Sequence, residues 1–153
     1  MKPDDLDIKI LSLLADQGRM TWSELASRLG LSPPAAADRV KRLEEQGIIT
    51  GYTARLNAEG LGLDLTAFIA VTLDRPHHRQ GFLRAVQGNA AILECHHVTG
   101  DDDYLLKVRC RNTRTLESLI SEQLKTIEGV LKTRTLIVLS TIKETLTPPL
   151  EET

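Results

Sequence analysis

The sequence predicts an α+β chain in two parts, helical at the front and alternating strand and helix behind. Three observations carry this. Up to Gly47 the apolar residues recur at helical spacing between good caps and glycine stops. From Leu65 onward, apolar runs of strand length alternate with segments of 3.6-residue period. Between the two, Arg55–Gly62 follows neither period.

The helices come first. Leu6, Ile10, Leu13 and Leu14 share one side of a helix, with Asp4 and Asp5 where acids favour an N-terminus and Gly18 as its stop. The second helix opens with Thr21-Trp22-Ser23-Glu24, the spacing of a capping box. It buries Leu25, Ala26 and Leu29 and ends at Gly30. Ser32 is then a good N-cap, Pro33 suits N1, and the third helix runs to Gly47 as C′. Two short helices joined by a Gly-containing turn are the signature of a helix-turn-helix. In the third helix Ala36, Val40 and Leu43 form an inward stripe, and Ala35, Asp38, Arg39 and Arg42 an outward one. A plain three-helix bundle would use the same caps and stripes. The short turn, the small residues at the helix start and the outward arginines favour a DNA reader, whose recognition helix approaches base edges by that end.

The second part begins with the apolar strand Leu65–Leu73. The helix Arg79–Gln87 follows, with Phe82, Ala85 and Val86 inward. Ile92–Val98 and Tyr104–Cys110 are strands on either side of Thr99-Gly-Asp-Asp-Asp103. A helix carrying Leu116, Leu119, Ile120, Leu124 and Ile127 ends at Gly129, and Val130–Ile142 is the last strand. The order βαββαβ is that of a ferredoxin-like domain. Pairing Thr99 with Tyr104 sets the hairpin register. His97 then faces Leu106, Cys95 faces Val108 and Leu93 faces Cys110, while Glu94 and His96 oppose Arg109 and Lys107 on the other side. The first and last strands are apolar on both faces. A sheet covered by helices on one side only should alternate with polar residues. Something apolar must therefore cover the second side, and the economical candidate is the same sheet of a second copy in a two-fold dimer.

The domains are accordingly 1–52 for DNA binding, 53–62 as linker, 63–146 for ligand sensing and oligomerisation, and 147–153 as a frayed, Pro- and Glu-rich tail. The composition fits a soluble globular chain of 153 residues, 41% hydrophobic and 26% charged. With only 3% aromatics, its cores must be aliphatic. The net charge of −2 gives no global sign of nucleic acid, but between Arg28 and Leu43 four basic residues face a single acid, Asp38. Two cysteines make no disulfide framework, and no apolar stretch or signal-peptide pattern stands out. The chain is read as cytoplasmic.

The run Leu6-Asp7, Asp16-Gln-Gly-Arg19, Glu24-Leu-Ala, Leu29-Gly-Leu-Ser32, Asp38-Arg-Val-Lys-Arg-Leu-Glu44 and Gly47-Ile-Ile-Thr-Gly-Tyr52 resembles the Lrp/AsnC, or feast/famine, family of transcription regulators. The segment Val98-Thr-Gly-Asp-Asp-Asp-Tyr104 is similar to that family's sensing domain, so the resemblance covers roughly residues 4 to 143. It implies a third helix in the major groove and a DNA contact set of Ser32, Pro34, Ala35, Asp38, Arg39 and Arg42. Asp38 would either accept from a cytosine amino group or pair with Arg42, its i+4 neighbour; the pairing is preferred. It also implies that Gly51-Tyr52 starts a strand leading out of the domain. Assembly as a dimer, and from dimers an octamer, follows too, with an amino-acid effector near the hairpin between dimers. For that site Gly100 offers backbone amides to a carboxylate, and Asp101 or Asp103 offers an ammonium partner. Tyr104, Thr133 and Thr135 would help to line it. An ordinary solvated turn is the competing reading of the same loop.

The expected function is thus a sequence-specific DNA-binding regulator tuned by a small effector, with no cofactor. Two alternatives stand beside it: an architectural DNA-wrapping protein with no effector, and a metabolite sensor whose helix-turn-helix contacts only protein. Asp101–Asp103 lack the ligand spacing of an EF-hand, so no metal is expected. His77-His78 and His96-His97 read as a loop pair and a strand pair, with His97 partly buried. Cys95 and Cys110 read as inert core thiols. No nucleophile elbow, phosphate loop or zinc-protease motif points to an enzyme.

Overall fold

The computed structural model describes residues 2–150. Met1, at the head of the expected DNA-binding domain, and 151–153, the end of the expected frayed tail, lie outside the described residues. The chain divides into two compact units with boundaries after Arg55 and after Ile142, the last residues grouping with the first unit.

In the first unit α1 (Asp5–Asp16), α2 (Trp22–Leu29) and α3 (Pro33–Glu45) form the three-helix domain. Each start is chemically marked. Asp4 and Asp7 form a capping box on α1, and Thr21 and Glu24 form another on α2. Ser32 caps α3 with Pro33 at N1. The end of α3 is closed by Gly47 N–H to the Glu44 carbonyl and Ile48 N–H to the Leu43 carbonyl, the Schellman pattern. Ile10, Leu14, Met20, Leu25, Ala26, Ala36, Val40 and Leu43 make the core. It holds no aromatic ring, and small alanines let the helices approach. Residues 51–57 are irregular, so Gly51-Tyr52 begins no strand. Tyr52 instead donates its hydroxyl to Glu44 Oε1 at 2.9 Å.

In the second unit β1 (Leu65–Leu73), β2 (Ile92–His97), β3 (Tyr104–Cys110) and β4 (Val130–Ile137) form an antiparallel sheet of order β2-β3-β1-β4. Two helical segments cover one face: α4 (Arg79–Gln87), and α5 (Thr113–Ser118) with its π-helical continuation Leu119–Leu124. The covered face presents Ala67, Ile69, Val71, Tyr104, Leu106 and Val108 to Phe82, Val86, Leu116, Leu119 and Leu124. The rings of Phe82 and Tyr104 lie 4.9 Å apart at its centre.

Several details depart from the sequence reading. Ala85 is exposed, because α4 needs only Phe82 and Val86 to reach the sheet. The last helix does not keep a 3.6 period; its turn widens after Ser118, so Leu119 and Leu124 are both buried. β4 stops at Ile137, and Leu139 and Ile142 are almost fully exposed. The hairpin register lies two residues from the expected one, with His97 opposite Tyr104, Cys95 opposite Leu106 and Glu94 opposite Lys107. A shift of two preserves the faces. His97 is exposed, its ring stacked on Tyr104 with centroids 5.1 Å apart.

The uncovered face carries Phe68, Ala70, Leu105 and Leu136 at its centre. Charged pairs flank them, Glu94 with Lys107 at 3.1 Å and Asp102 with Arg134 at 2.6 Å. Leu136 is 57% exposed. This is an apolar patch inside a polar rim.

Candidate nucleic-acid interface and effector loop

The outward face of α3 is the candidate DNA surface. Ser32, Pro34, Asp38 and Arg42 are exposed, and Ala35 is half-buried. Ala35, Asp38, Arg39, Lys41, Arg42 and Glu45 line one shallow concavity along it. The small side chains sit at the N-terminal end, where the backbone can approach a groove edge. Ser32 spends its hydroxyl on the Ala35 amide at 3.4 Å.

Three of the six expected contact residues behave differently from the sequence reading. Asp38 and Arg42 do not pair; neither makes an ion pair or side-chain hydrogen bond among the described residues. An exposed i,i+4 pair gains only about 0.3–0.5 kcal/mol, little against the side-chain freedom it costs. Arg39 is not an outward cation. Its Nη1 donates to Asp4 Oδ1 and Oδ2 at 3.0 and 2.8 Å and to Asp7 Oδ1 at 2.7 Å. The guanidinium holds the Asp4 carboxyl below the usual carboxylate range, and the two acids push the Arg39 pKa up. Lys41 is offset by Glu45 at 3.8 Å. Of the basic cluster on α3, Arg42 is the cation left without a carboxylate partner.

The candidate effector loop spans 98–103. Gly100 has φ +123°, a conformation that favours glycine, and a Cβ there would meet only open space. Gly100 and Asp101 are exposed, and Asp101 makes no ion pair or side-chain hydrogen bond among the described residues. Asp103 is committed to the fold: its N–H donates to the Val71 carbonyl at 3.0 Å and its Oδ2 accepts from Leu73 N–H at 2.7 Å. Tyr104 is 3% exposed within the core, which removes it from any open pocket. Thr133 and Thr135 are half-buried on the helix-covered side of β4, opposite Val71 and Ile69.

Sequence reasoning passed over Asp102. Its carboxylate takes Thr72 Oγ1 at 3.1 Å and Arg134 Nη2 at 2.6 Å, and the side chain is only 9% exposed. Arg134, then Thr72, holds this carboxyl below its ordinary pKa. The only signal in the sequence was an Asp run of ambiguous meaning.

Comparison with known proteins fits both surfaces. Residues 3–50 match the winged helix-turn-helix DNA-binding signature, and residues 66–148 match the Lrp/AsnC ligand-binding domain. Among curated relatives, the leucine-responsive regulatory protein of Escherichia coli K12 is 43% identical over 143 residues, covering 92% of this chain and 87% of that protein. This chain belongs to the Lrp/AsnC family. Solved members superpose along nearly its whole length. A transcriptional regulator from Neisseria meningitidis, crystallised with L-methionine, has a TM-score of 0.94 and 35% identity, covering 97% of each chain. The feast or famine regulatory protein of M. tuberculosis, complexed with L-methionine, has a TM-score of 0.86 and 37% identity, covering 95% of this chain and 97% of that one. The family is one of transcription regulators, and its two-part plan accounts for both surfaces: a DNA reader first, a ligand-binding sheet domain second. No helix among the described residues is long and apolar enough to cross a membrane.

Proposed function

We propose that this Lrp/AsnC-family chain is a cytoplasmic, homo-oligomeric regulator whose DNA binding responds to an amino acid held at the 98–103 loop. The observation that carries the reading is the loop's division of labour. Asp102 and Asp103 fasten it to β1 and β4, while Gly100 and Asp101 remain exposed on a rigid base. An α-amino acid needs donors for its carboxylate and an anion for its ammonium; the Gly100 backbone and Asp101 supply one of each. Two related regulators were solved with L-methionine, which supports an amino-acid ligand of this class. Asp103 and Tyr104 support the loop from below and do not touch the ligand. Thr133 and Thr135 lie on the helix-covered side and could join the site only with a second wall.

The second wall is another subunit. The exposed Leu136 beside Phe68, with Ala70 and Leu105 on the same face, makes the uncovered sheet face a dimer surface, and dimers then meet near the loops. Oligomerisation also answers the modest charge of the DNA face. Once Arg39 and Lys41 are matched by acids, one domain offers few phosphate contacts, so affinity must come from several recognition helices on one duplex. Ser32, Pro34, Ala35, Asp38 and Arg42 form the proposed contact surface.

Calorimetry of the full chain against the standard amino acids, with light scattering on the same samples, tests the reading. At least one amino acid should bind and shift the assembly state, and Asp101→Ala should weaken that binding. Saturable DNA binding with no amino-acid response would favour the architectural, DNA-wrapping alternative.

A further inference from the structure

Arg39 lies on the recognition helix, where a cation would ordinarily be assigned to phosphate. Its surroundings say otherwise. One nitrogen, Nη1, serves three carboxylate oxygens of Asp4 and Asp7. Those acids are the N-cap and N3 residues of α1. They already bind each other's backbone, Asp7 N–H to Asp4 Oδ1 at 2.8 Å and Asp4 N–H to Asp7 Oδ2 at 3.2 Å. The capping box of α1 is therefore also the receptor for a side chain from the middle of α3. Asp7 is 8% exposed, the one charged side chain counted with the buried residues of the unit. Drawing Arg39 away to a phosphate would leave two neighbouring carboxylates uncompensated, one of them buried, which is strongly unfavourable.

The apolar contact between these helices is not strongly directional. α3 begins Pro33-Pro34-Ala35-Ala36-Ala37, and its inward residues there are small. Alanines slide over a neighbouring helix more readily than a charge-assisted cluster of three hydrogen bonds. We infer that Arg39 is a positioning residue for DNA reading, pinning the recognition helix to the capping box of α1 through Asp4 and Asp7, rather than a DNA contact. This deepens the DNA-binding reading and rests on it. Arg42, one turn further along and without a carboxylate partner, takes the phosphate or base instead.

The two roles differ in measurable ways. A phosphate contact shows in the salt dependence of binding, whose slope flattens by about one unit when it is lost. A positioning residue leaves that slope alone and degrades the preference for the right sequence. The test uses the full-length protein, a duplex selected from a random pool by the wild type, and a mixed-sequence duplex, well below the unfolding temperature. Arg39→Gln should lower the preference for the selected duplex by about tenfold with an unchanged salt slope, and Asp7→Asn should do the same. The latter sign is diagnostic, since removing a negative charge from a DNA-facing surface should tighten binding on electrostatics alone. Arg42→Gln is the contrast, flattening the slope. In thermal unfolding the Arg39→Gln and Asp7→Asn losses should be less than additive, and this arm reads out even if the wild type binds no DNA. If Arg39→Gln is too unstable to assay, Asp4→Asn and Asp7→Asn carry the same test. A slope flattened by Arg39→Gln, tighter binding by Asp7→Asn, or fully additive unfolding losses would overturn the assignment.

Discussion

Asp102 and Arg134 form a 2.6 Å ion pair that ties the 98–103 loop to β4, with the Asp102 side chain 9% exposed and Arg134 61% exposed. The same carboxylate also takes the hydroxyl of Thr72 on β1. Arg134 stands on the uncovered sheet face beside Leu136, so the pair joins the proposed effector loop to the proposed dimer surface. Replacing Asp102 by Asn keeps the shape but removes the charge that Arg134 needs. Amide hydrogen exchange at 100–103 should then accelerate, and effector binding should weaken. Unchanged protection in Asp102→Asn would show that the loop is held by Asp103 alone.

A pH dependence follows from the same chemistry. Asp102, Asp4, Asp74 and Glu94 are all held below their ordinary values, chiefly by Arg134, Arg39, His78 and His96 respectively. A carboxyl depressed in the folded state takes up its proton first in the unfolded chain. Stability from these groups is therefore complete above the unfolded pKa, about 4, and is lost as the pH falls through the lower folded values. Denaturant titrations from neutral pH downward should show stability falling below about pH 4. Asp102→Asn should flatten part of that decline. A stability that rises on acidification would contradict the sign.

How far the sequence reveals this molecule depends on whether a feature is local. Caps, glycine stops and helical stripes act within a turn or two, so α1, α2 and α3 and the order of β1, α4, β2, β3 and α5 can be read from residue spacing. The hairpin register cannot, because it is set by β1, which claims Asp103 through the Val71 carbonyl and Leu73 amide. That claim opens a longer loop than the turn residues suggest. Arg39 is illegible for a related reason: helical spacing places it outward, and only the approach of Asp4 and Asp7, over thirty positions earlier, turns it inward. Tyr104, at the start of β3 beside the loop, looks like a lining residue of the effector site until Phe82 meets it across the core.

The uncovered face makes its own prediction. Leu136→Glu places a charge beside Phe68, on the apolar face that also carries Ala70 and Leu105, at a position exposed in the single chain. The monomer should tolerate it, whereas burying that charge against a second sheet costs several kcal/mol. Light scattering should show a lower assembly state with unchanged helix and strand content. An unaltered mass would move the interface elsewhere.

Gly129 offers a check on the fold itself. It lies in the turn between the last helix, which ends at Leu124, and the start of β4 at Val130, with φ +88° and the His78 side chain packed where a Cβ would stand. His78 is held there by Asp74 at 2.6 Å and by Glu128 at 3.5 Å. Gly129→Ala should cost about 1–3 kcal/mol from the backbone conformation alone, with displacement of His78 added. Chemical denaturation measures it, and a neutral result would mean that the β4 entry is differently built.

The central claim is that one chain couples DNA reading to an amino-acid ligand. Its most direct test is titration of the full-length protein with a self-selected duplex, repeated in the presence of each standard amino acid. The account predicts that at least one shifts the DNA affinity by about 5–150-fold, and that Asp101→Ala abolishes the shift while leaving ligand-free binding intact. Superimposable titrations with every amino acid would contradict it.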